Sequence, residues 1–185
     1  MFKNTIRQGL LTQFVSLTID VLAGIGLALM RGALEELPGM LIMVPAFLQM
    51  RGAIGGTLAS RLSSALHVGI IEPRLKLSKE LLQNIIGTLI LSLVLSVLIG
   101  CLAHFMCLLF GFTSAGFLTL LLLSLIAGAL SSLVITLVTV IMTIKVYQRG
   151  LDPDVIMGPI ITTLGDVVSI PCLFLAALVL MAMGL

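Results

Sequence analysis

Between Leu81 and Phe110 the chain carries no Asp, Glu, Lys or Arg, and the same holds from Phe117 to Ile144. A helix needs about 20 such residues to cross a hydrocarbon layer roughly 30 Å thick. Runs this long have no place in water, and the rest of the sequence agrees with them. The 185 residues are 59% hydrophobic and 10% charged, against about 45–50% and 25% in soluble domains. Ten Lys and Arg with eight Asp and Glu cannot cover a soluble globule of this size. The composition predicts an all-α polytopic membrane protein. It excludes a cytosolic enzyme, a secreted disulfide scaffold and a nucleic-acid module. The continuous apolar runs also exclude a porin-like barrel, whose strands alternate apolar and polar residues. The net charge of +2 is too small to argue for an acidic partner.

Five spans are expected. The first covers about Leu10 to Met30, and Pro38 closes the loop after it. Its length and Asp20 set it apart from a cleavable signal peptide. The second, about Pro38 to Ile71, holds Pro45, several glycines, Arg51, Arg61 and many hydroxyls. That mixture predicts a bent or interrupted helix surrounded by protein or a water-filled cavity. The third, about Leu81 to Phe110, reads as uniformly apolar apart from His104. The fourth covers about Phe117 to Ile144 and is rich in Ser, Thr and Gly. A polar loop, KVYQRGLDPD, leads to the fifth, about Val155 to Met183, with Asp166 in its interior. Residues 1–185 thus read as a single five-span membrane domain with no soluble domain.

Basic residues set the orientation. Lys3, Arg7, Arg74, Lys76, Lys79, Lys145 and Arg149 fall on one side, and Arg31 on the other. The N-terminus is therefore expected in the cytoplasm and the C-terminus outside, in a cell (inner) membrane. No internal repeat is visible, and five helices are few to enclose a pathway. A parallel homodimer with the pathway on its two-fold axis is the simplest closed arrangement.

Asp166 carries the most chemical information. A carboxylate near the bilayer midplane is costly, and no basic residue stands at helical spacing to pair with it. Thr162, Thr163 and Ser169 lie one turn away on the same helix. An oxygen-rich face suits a hard cation, and magnesium in particular is often held by one or two carboxylates through its retained waters. The bland alternative is a protonated Asp hydrogen-bonded to a neighbouring helix. In the second span, RGAIGGTLASRLSS offers backbone carbonyls with the Thr57 and Ser60 hydroxyls, a route to cation selection. Equally, Gly52 and Gly56 have the spacing of small-residue helix packing. Asp20 must face protein or water, paired either with Arg51 or Arg61 or with a cation. Asp152 and Asp154 flank Pro153 as a helix N-cap or as an acidic cytoplasmic mouth that Glu72 could join. Cys101, Cys107 and Cys172 lack a zinc spacing and read as small apolar residues. The scattered methionines form no soft-metal track, and isolated His67 and His104 suggest no metal site.

Two stretches, VPAFLQMRGAIGGTLASRLSSALHVGIIEP and DPDVIMGPIITTLGDVVSIP, resemble the membrane domain of the MgtE-type magnesium transporters and the related eukaryotic solute carriers. The resemblance implies a dimeric membrane domain with a central cation path. It implies that Asp166 binds hydrated Mg2+ there, that Gly52, Ala53 and Gly55 line the path, and that Asp152 and Asp154 stand at its cytoplasmic end. Ala53 replaces an Asn common in the family, which removes one polar group from the path. Bacterial members also carry a cytosolic magnesium-sensing region before the membrane domain. This sequence has about nine residues ahead of its first span, so gating by that sensor in the same chain is not expected.

Divalent-cation transport, most simply of Mg2+, is the function these residues point to, with Mg2+ as the transported ion, a second copy and the lipid bilayer as partners. The candidate metal residues are Asp166, Thr162, Thr163, Gly52, Ala53, Gly55, Asp152, Asp154 and Asp20. The other class is a structural membrane subunit or an organic-solute carrier with Asp166 engaged in helix packing. No nucleophile–base pair or cofactor motif points to an enzyme.

Overall fold

The computed structural model describes residues 2–184 and the side-chain surroundings of residue 10 and residues 13–184. Lys3 and Arg7, used in the orientation argument, lie outside the described side chains. The described chain is all helical, with six helices: α1 Phe2–Leu29, α2 Arg31–Glu36, α3 Met40–His67, α4 Lys79–Leu109, α5 Phe117–Gln148 and α6 Pro153–Ala182. Four of them, α3 to α6, are long and apolar enough to cross a membrane, and the chain is an integral membrane protein. In α1 the described apolar stretch is the shorter Gln13–Leu29.

Helices α3, α4, α5 and α6 form the central bundle, and α1 packs along α6. Two contacts give the direction of each pair. Ser16 Oγ donates to the Pro159 carbonyl at 3.5 Å, while ten residues on, Gly26 abuts Ile170. Thus α1 and α6 run the same way. Gly55 meets Ile161, and Gly52 meets Thr162 and Gly165, so α3 runs opposite to α6. The apolar core is built from Met40, Met43, Phe47, Leu120, Leu123, Leu173 and their neighbours. A second cluster of Leu58, Leu62, Leu66 and Ile144 fills the other end.

Three sequence expectations are corrected here. The second span is an unbroken helix from Met40 to His67, neither interrupted nor split. Pro45 is only the sixth residue of α3, so it removes one backbone bond close to an end where amides already lack partners. The glycines do not break the helix, and Gly52 and Gly55 lie flat on α6. The loop after the fourth span is also shorter than expected, because α5 continues through Lys145 to Gln148. The stretch Arg31–Glu36, read as a loop, makes one and a half turns braced by an Arg31–Glu35 ion pair at 2.8 Å.

The apparently uniform α4 carries a hidden row. Thr88, Ser92, Ser96, Gly100, Ala103 and Cys107 are all buried at the three- and four-residue spacing of one helix face. A matching row on α5, from Ser124 through Ser131, Ser132, Thr136 and Thr139 to Thr143, is buried as well. Most of these hydroxyls donate to their own helix, as in Ser96 to the Ser92 carbonyl and Ser131 to the Ala127 carbonyl. Such small residues let membrane helices approach closely.

Candidate functional site

Each turn of α6 after its start presents chemistry. Asp152 is the N-cap and its carboxylate accepts from the Asp154 amide at 3.0 Å, with Pro153 in the first helical position as the fixed φ of proline favours. Asp154 is exposed and has no such role. Pro171 has no N–H, so the Val167 carbonyl lacks its usual helical partner. A backbone oxygen is thereby left over next to Asp166.

Asp166 is half-buried, Thr162 is exposed and Thr163 is buried. Thr162 Oγ1 donates to the Pro159 carbonyl at 2.8 Å. The Asp166 carboxylate makes no ion pair: among the described residues Arg31–Glu35 is the one salt bridge. An Asp166 locked against an arginine would have ended the ion-binding reading, and that arrangement is not found.

Next to Asp166 along α6, Ile161, Thr162 and Gly165 meet the glycine face of α3. A Cβ on Gly52 would stand 2.9 Å from Thr162 Cγ2, and one on Gly55 would collide with Ile161 Cγ2. Glycine alone fits both positions. Gly52 and Gly55 are buried in this contact, whereas Gly56, expected as the packing partner of Gly52, has open space around it. In an unbroken helix the carbonyls here accept from amides four residues on, so each keeps one lone pair for other use. Ala53 is exposed, and its carbonyl accepts a further bond from Thr57 Oγ1 at 2.8 Å.

The outward side of this helix pair is polar. On α3, Gln49, Ala53, Thr57, Ser60 and Ser64 are exposed in sequence at helical spacing. On α6, Asp154, Gly158 and Thr162 are exposed and lead to Asp166. Elsewhere the bundle shows lipid-compatible side chains such as Ile90, Val94, Leu133 and Leu137. Such a row, ending in a carboxylate, suits contact with water or protein better than contact with lipid, where a charged group is costly.

Asp20 does not meet Arg51 or Arg61, as expected for one of its two readings. Arg51 points the other way, into the bundle, where it is 2% exposed. Its Nη1 donates to Ser92 Oγ, its Nη2 donates to Ser96 Oγ at 3.1 Å, and its guanidinium lies 5.0 Å from the Phe47 ring centroid. Gly128 of α5 leaves the room, since a Cβ there would collide with Ser96 Oγ and stand 3.3 Å from Arg51 Nη2. Arg61 is exposed. Sequence reasoning missed this arginine pocket; the recurrence of Thr88, Ser92, Ser96 and Gly100 every fourth residue was its signal.

His67 and His104 have local roles. His104 Nδ1 pairs with Ser114 Oγ at 2.9 Å across the α4–α5 turn. His67 pairs with the Ser63 carbonyl at 2.9 Å and stands edge-on to Tyr147.

The site thus joins an acidic residue with no ion pair, a glycine contact beside it on α6 and a polar outer stripe, and comparison with known proteins gives its family. The family model of the MgtE divalent cation transporters matches residues 44–176.

The chain belongs to the MgtE family.

The match covers α3 beyond its first turn, all of α4 and α5, and most of α6, the helices that carry the polar stripe. Individual relatives agree. Solute carrier family 41 member 2 of Xenopus laevis is 31% identical over 145 residues, 75% of this chain and 25% of the relative. The Mus musculus protein of the same name is 33% identical over 138 residues, 71% of this chain and 23% of its own length. Solute carrier family 41 member 3 of Rattus norvegicus is 29% identical over 147 residues, 76% of this chain and 31% of its own. The chain thus spans about a quarter of the length of the first two relatives. No solved structure matches it.

Proposed function

We propose that this MgtE-family chain carries divalent cations, Mg2+ foremost, across a cell membrane as a parallel homodimer, along a path on the two-fold axis lined by α3 and α6. The observation that carries this reading is the polar stripe from Gln49 to Ser64 on α3 and from Asp154 to Asp166 on α6, exposed on helices that otherwise suit lipid. A second copy related by a two-fold axis would turn two such stripes toward each other and enclose a wet path.

In that path Asp166 holds the ion. Magnesium gives up its water reluctantly, so the two Asp166 carboxylates bind it through its hydration shell. The Thr162 hydroxyl and the Gly52 and Gly55 carbonyls offer further oxygens to the bound waters, and Ala53 lines the path beside them. Thr163 lies one turn from Asp166 on the side toward α1. Asp152 braces the start of α6, and with Asp154 it gives the path an acidic cytoplasmic mouth. Residues 1–185 form one membrane domain of five spans, α1 included, with the N-terminus in the cytoplasm. The shared direction of α1 and α6, with α3 opposed, supports an odd number of crossings from first to last. Inward flux needs no chemical fuel: a dication gains about 4.6 kcal/mol per 100 mV of negative-inside potential, twice the single-charge value.

The test is a titration of Mg2+ against the thermal stability of the purified protein. Mg2+ raises the melting temperature of the wild type and leaves that of Asp166→Asn unmoved. Equal protection of both proteins overturns the assignment.

A further inference from the structure

On α1, the residues turned to the protein are Ser16, Asp20, Ala23, Gly26, Leu27 and Met30, a seam at the three- and four-residue spacing of one helix face. Asp20 therefore lies in the contact with α6 rather than toward lipid. The register of the parallel pair gives its level. Ser16 meets Pro159, and Gly26 meets Ile170, which brings Asp20 between Thr163 and Asp166. Both carboxyl groups thus stand at one level of the seam between α1 and α6.

The seam is left unfinished as a set of hydrogen bonds. Asp20 Oδ1 is shielded from solvent and has no partner. Thr163 Oγ1, in a residue 3% exposed, has none either. Thr163 lines a cavity of about 530 Å3 together with Val15, Ser16 and Ile19 of α1 and Val138 and Met142 of α5, so its side chain is on the side of α6 that faces α1 and α5. Buried polar atoms almost always have partners, and an unpartnered carboxylate oxygen is the costliest to leave bare. Two carboxylates at one level of a helix seam repel, and a cation between them turns that repulsion into attraction. Arginine does not fill this role, because Arg51 is engaged with Ser92 and Ser96.

The geometry points to a two-carboxylate divalent-cation site inside each protomer, formed by Asp20 of α1 and Asp166 of α6 with Thr163 Oγ1 as a neutral ligand. Two negative charges and a hydroxyl match a doubly charged hard ion in charge and donor type. The inference rests on the reading of Asp166 as the ion-holding residue and adds α1 to the binding apparatus.

The test uses the full chain in detergent, with Mg2+ as the probe and Na+ at matched ionic strength as the control. The Mg2+ concentration for half-maximal thermal protection is measured for wild type, Asp20→Asn, Asp20→Ser and Asp166→Asn. Asp20→Asn raises that concentration by about tenfold or more, the scale on which losing one ligand or its support acts, while its melting temperature in EDTA stays at or above the wild-type value. Asp20→Ser serves the same purpose should the Asn variant not be recovered. A midpoint within twofold of wild type in either variant overturns the inference. Protection by Na+ that vanishes with Asp20 overturns the divalent class. Loss of protection in Asp166→Asn with normal protection in Asp20→Asn sinks this site alone, whereas retention in Asp166→Asn sinks the underlying reading as well.

Discussion

Gly52 of α3 lies against Thr162 of α6 so closely that a Cβ on the glycine would stand 2.9 Å from the threonine methyl carbon. The same backbone reaches Gly165, where an added Cβ would be 3.4 Å from the Gly52 nitrogen. This contact holds the polar face of α3 beside Asp166. Helix packing and the candidate ion site are therefore one piece of geometry, and a substitution that parts the helices also parts the stripe.

The glycines of α3 differ in what they tolerate. Gly55→Ala drives a methyl group into Ile161 Cγ2 and toward Ile135, whereas Gly56→Ala meets nothing within 4 Å. Overpacking of this kind costs about 1–3 kcal/mol. Gly55→Ala is expected to lower the thermal midpoint by that equivalent, and Gly56→Ala to leave it unchanged or raise it slightly. Thermal unfolding of the two variants in one detergent decides the matter.

The buried arginine and its serines act as a unit. Replacing Ser92 and Ser96 together by Ala removes both acceptors of a charge that is 2% exposed. Hydrogen bonds to charged groups are worth about 1.5–3 kcal/mol each, so the double variant loses several kcal/mol. Adding Arg51→Met removes the stranded charge and restores part of the loss. A thermodynamic cycle across the serine double variant, Arg51→Met alone and their combination measures this coupling, and additive effects would deny the pocket.

Asp152 and Asp154 separate a helix cap from a charge at the mouth. Asp152 Oδ1 accepts from the Asp154 amide, while Asp154 is exposed. Loss of an N-cap costs about 1 kcal/mol. Asp152→Ala is expected to destabilise by that amount and Asp154→Ala by much less. Both are expected to weaken Mg2+ uptake most at low ionic strength, where surface charge reaches farthest. Uptake measured at two salt concentrations checks this.

Much of this architecture is legible in the pattern of apolar runs. The long helices α3 to α6 follow from runs that only a bilayer accommodates, and Asp166 stands out because one carboxylate interrupts such a run. Local signs were harder to read. Pro45 and the glycines of α3 suggest a broken helix because these residues break helices in water. Between membrane helices the same residues allow close approach, and Gly52 and Gly55 are buried against α6 in an unbroken α3. The destination of Arg51 is marked only on its partner helix, by the four-residue recurrence of Thr88, Ser92, Ser96 and Gly100 in a strongly apolar run far away in sequence. Asp20 is ambiguous in sequence because whether it faces an arginine or a cation depends on which helix lies beside α1, a relation made only in three dimensions.

The central claim is that the Asp166 carboxylate binds a dication on its way across the membrane. The most direct measurement is Mg2+ entry into vesicles reconstituted with the full-length chain under a negative-inside potential, followed with an enclosed Mg2+ indicator. The account predicts uptake by the wild type that grows with the potential, and uptake close to that of protein-free vesicles for Asp166→Asn recovered at the same level. Wild-type rates from Asp166→Asn would contradict it.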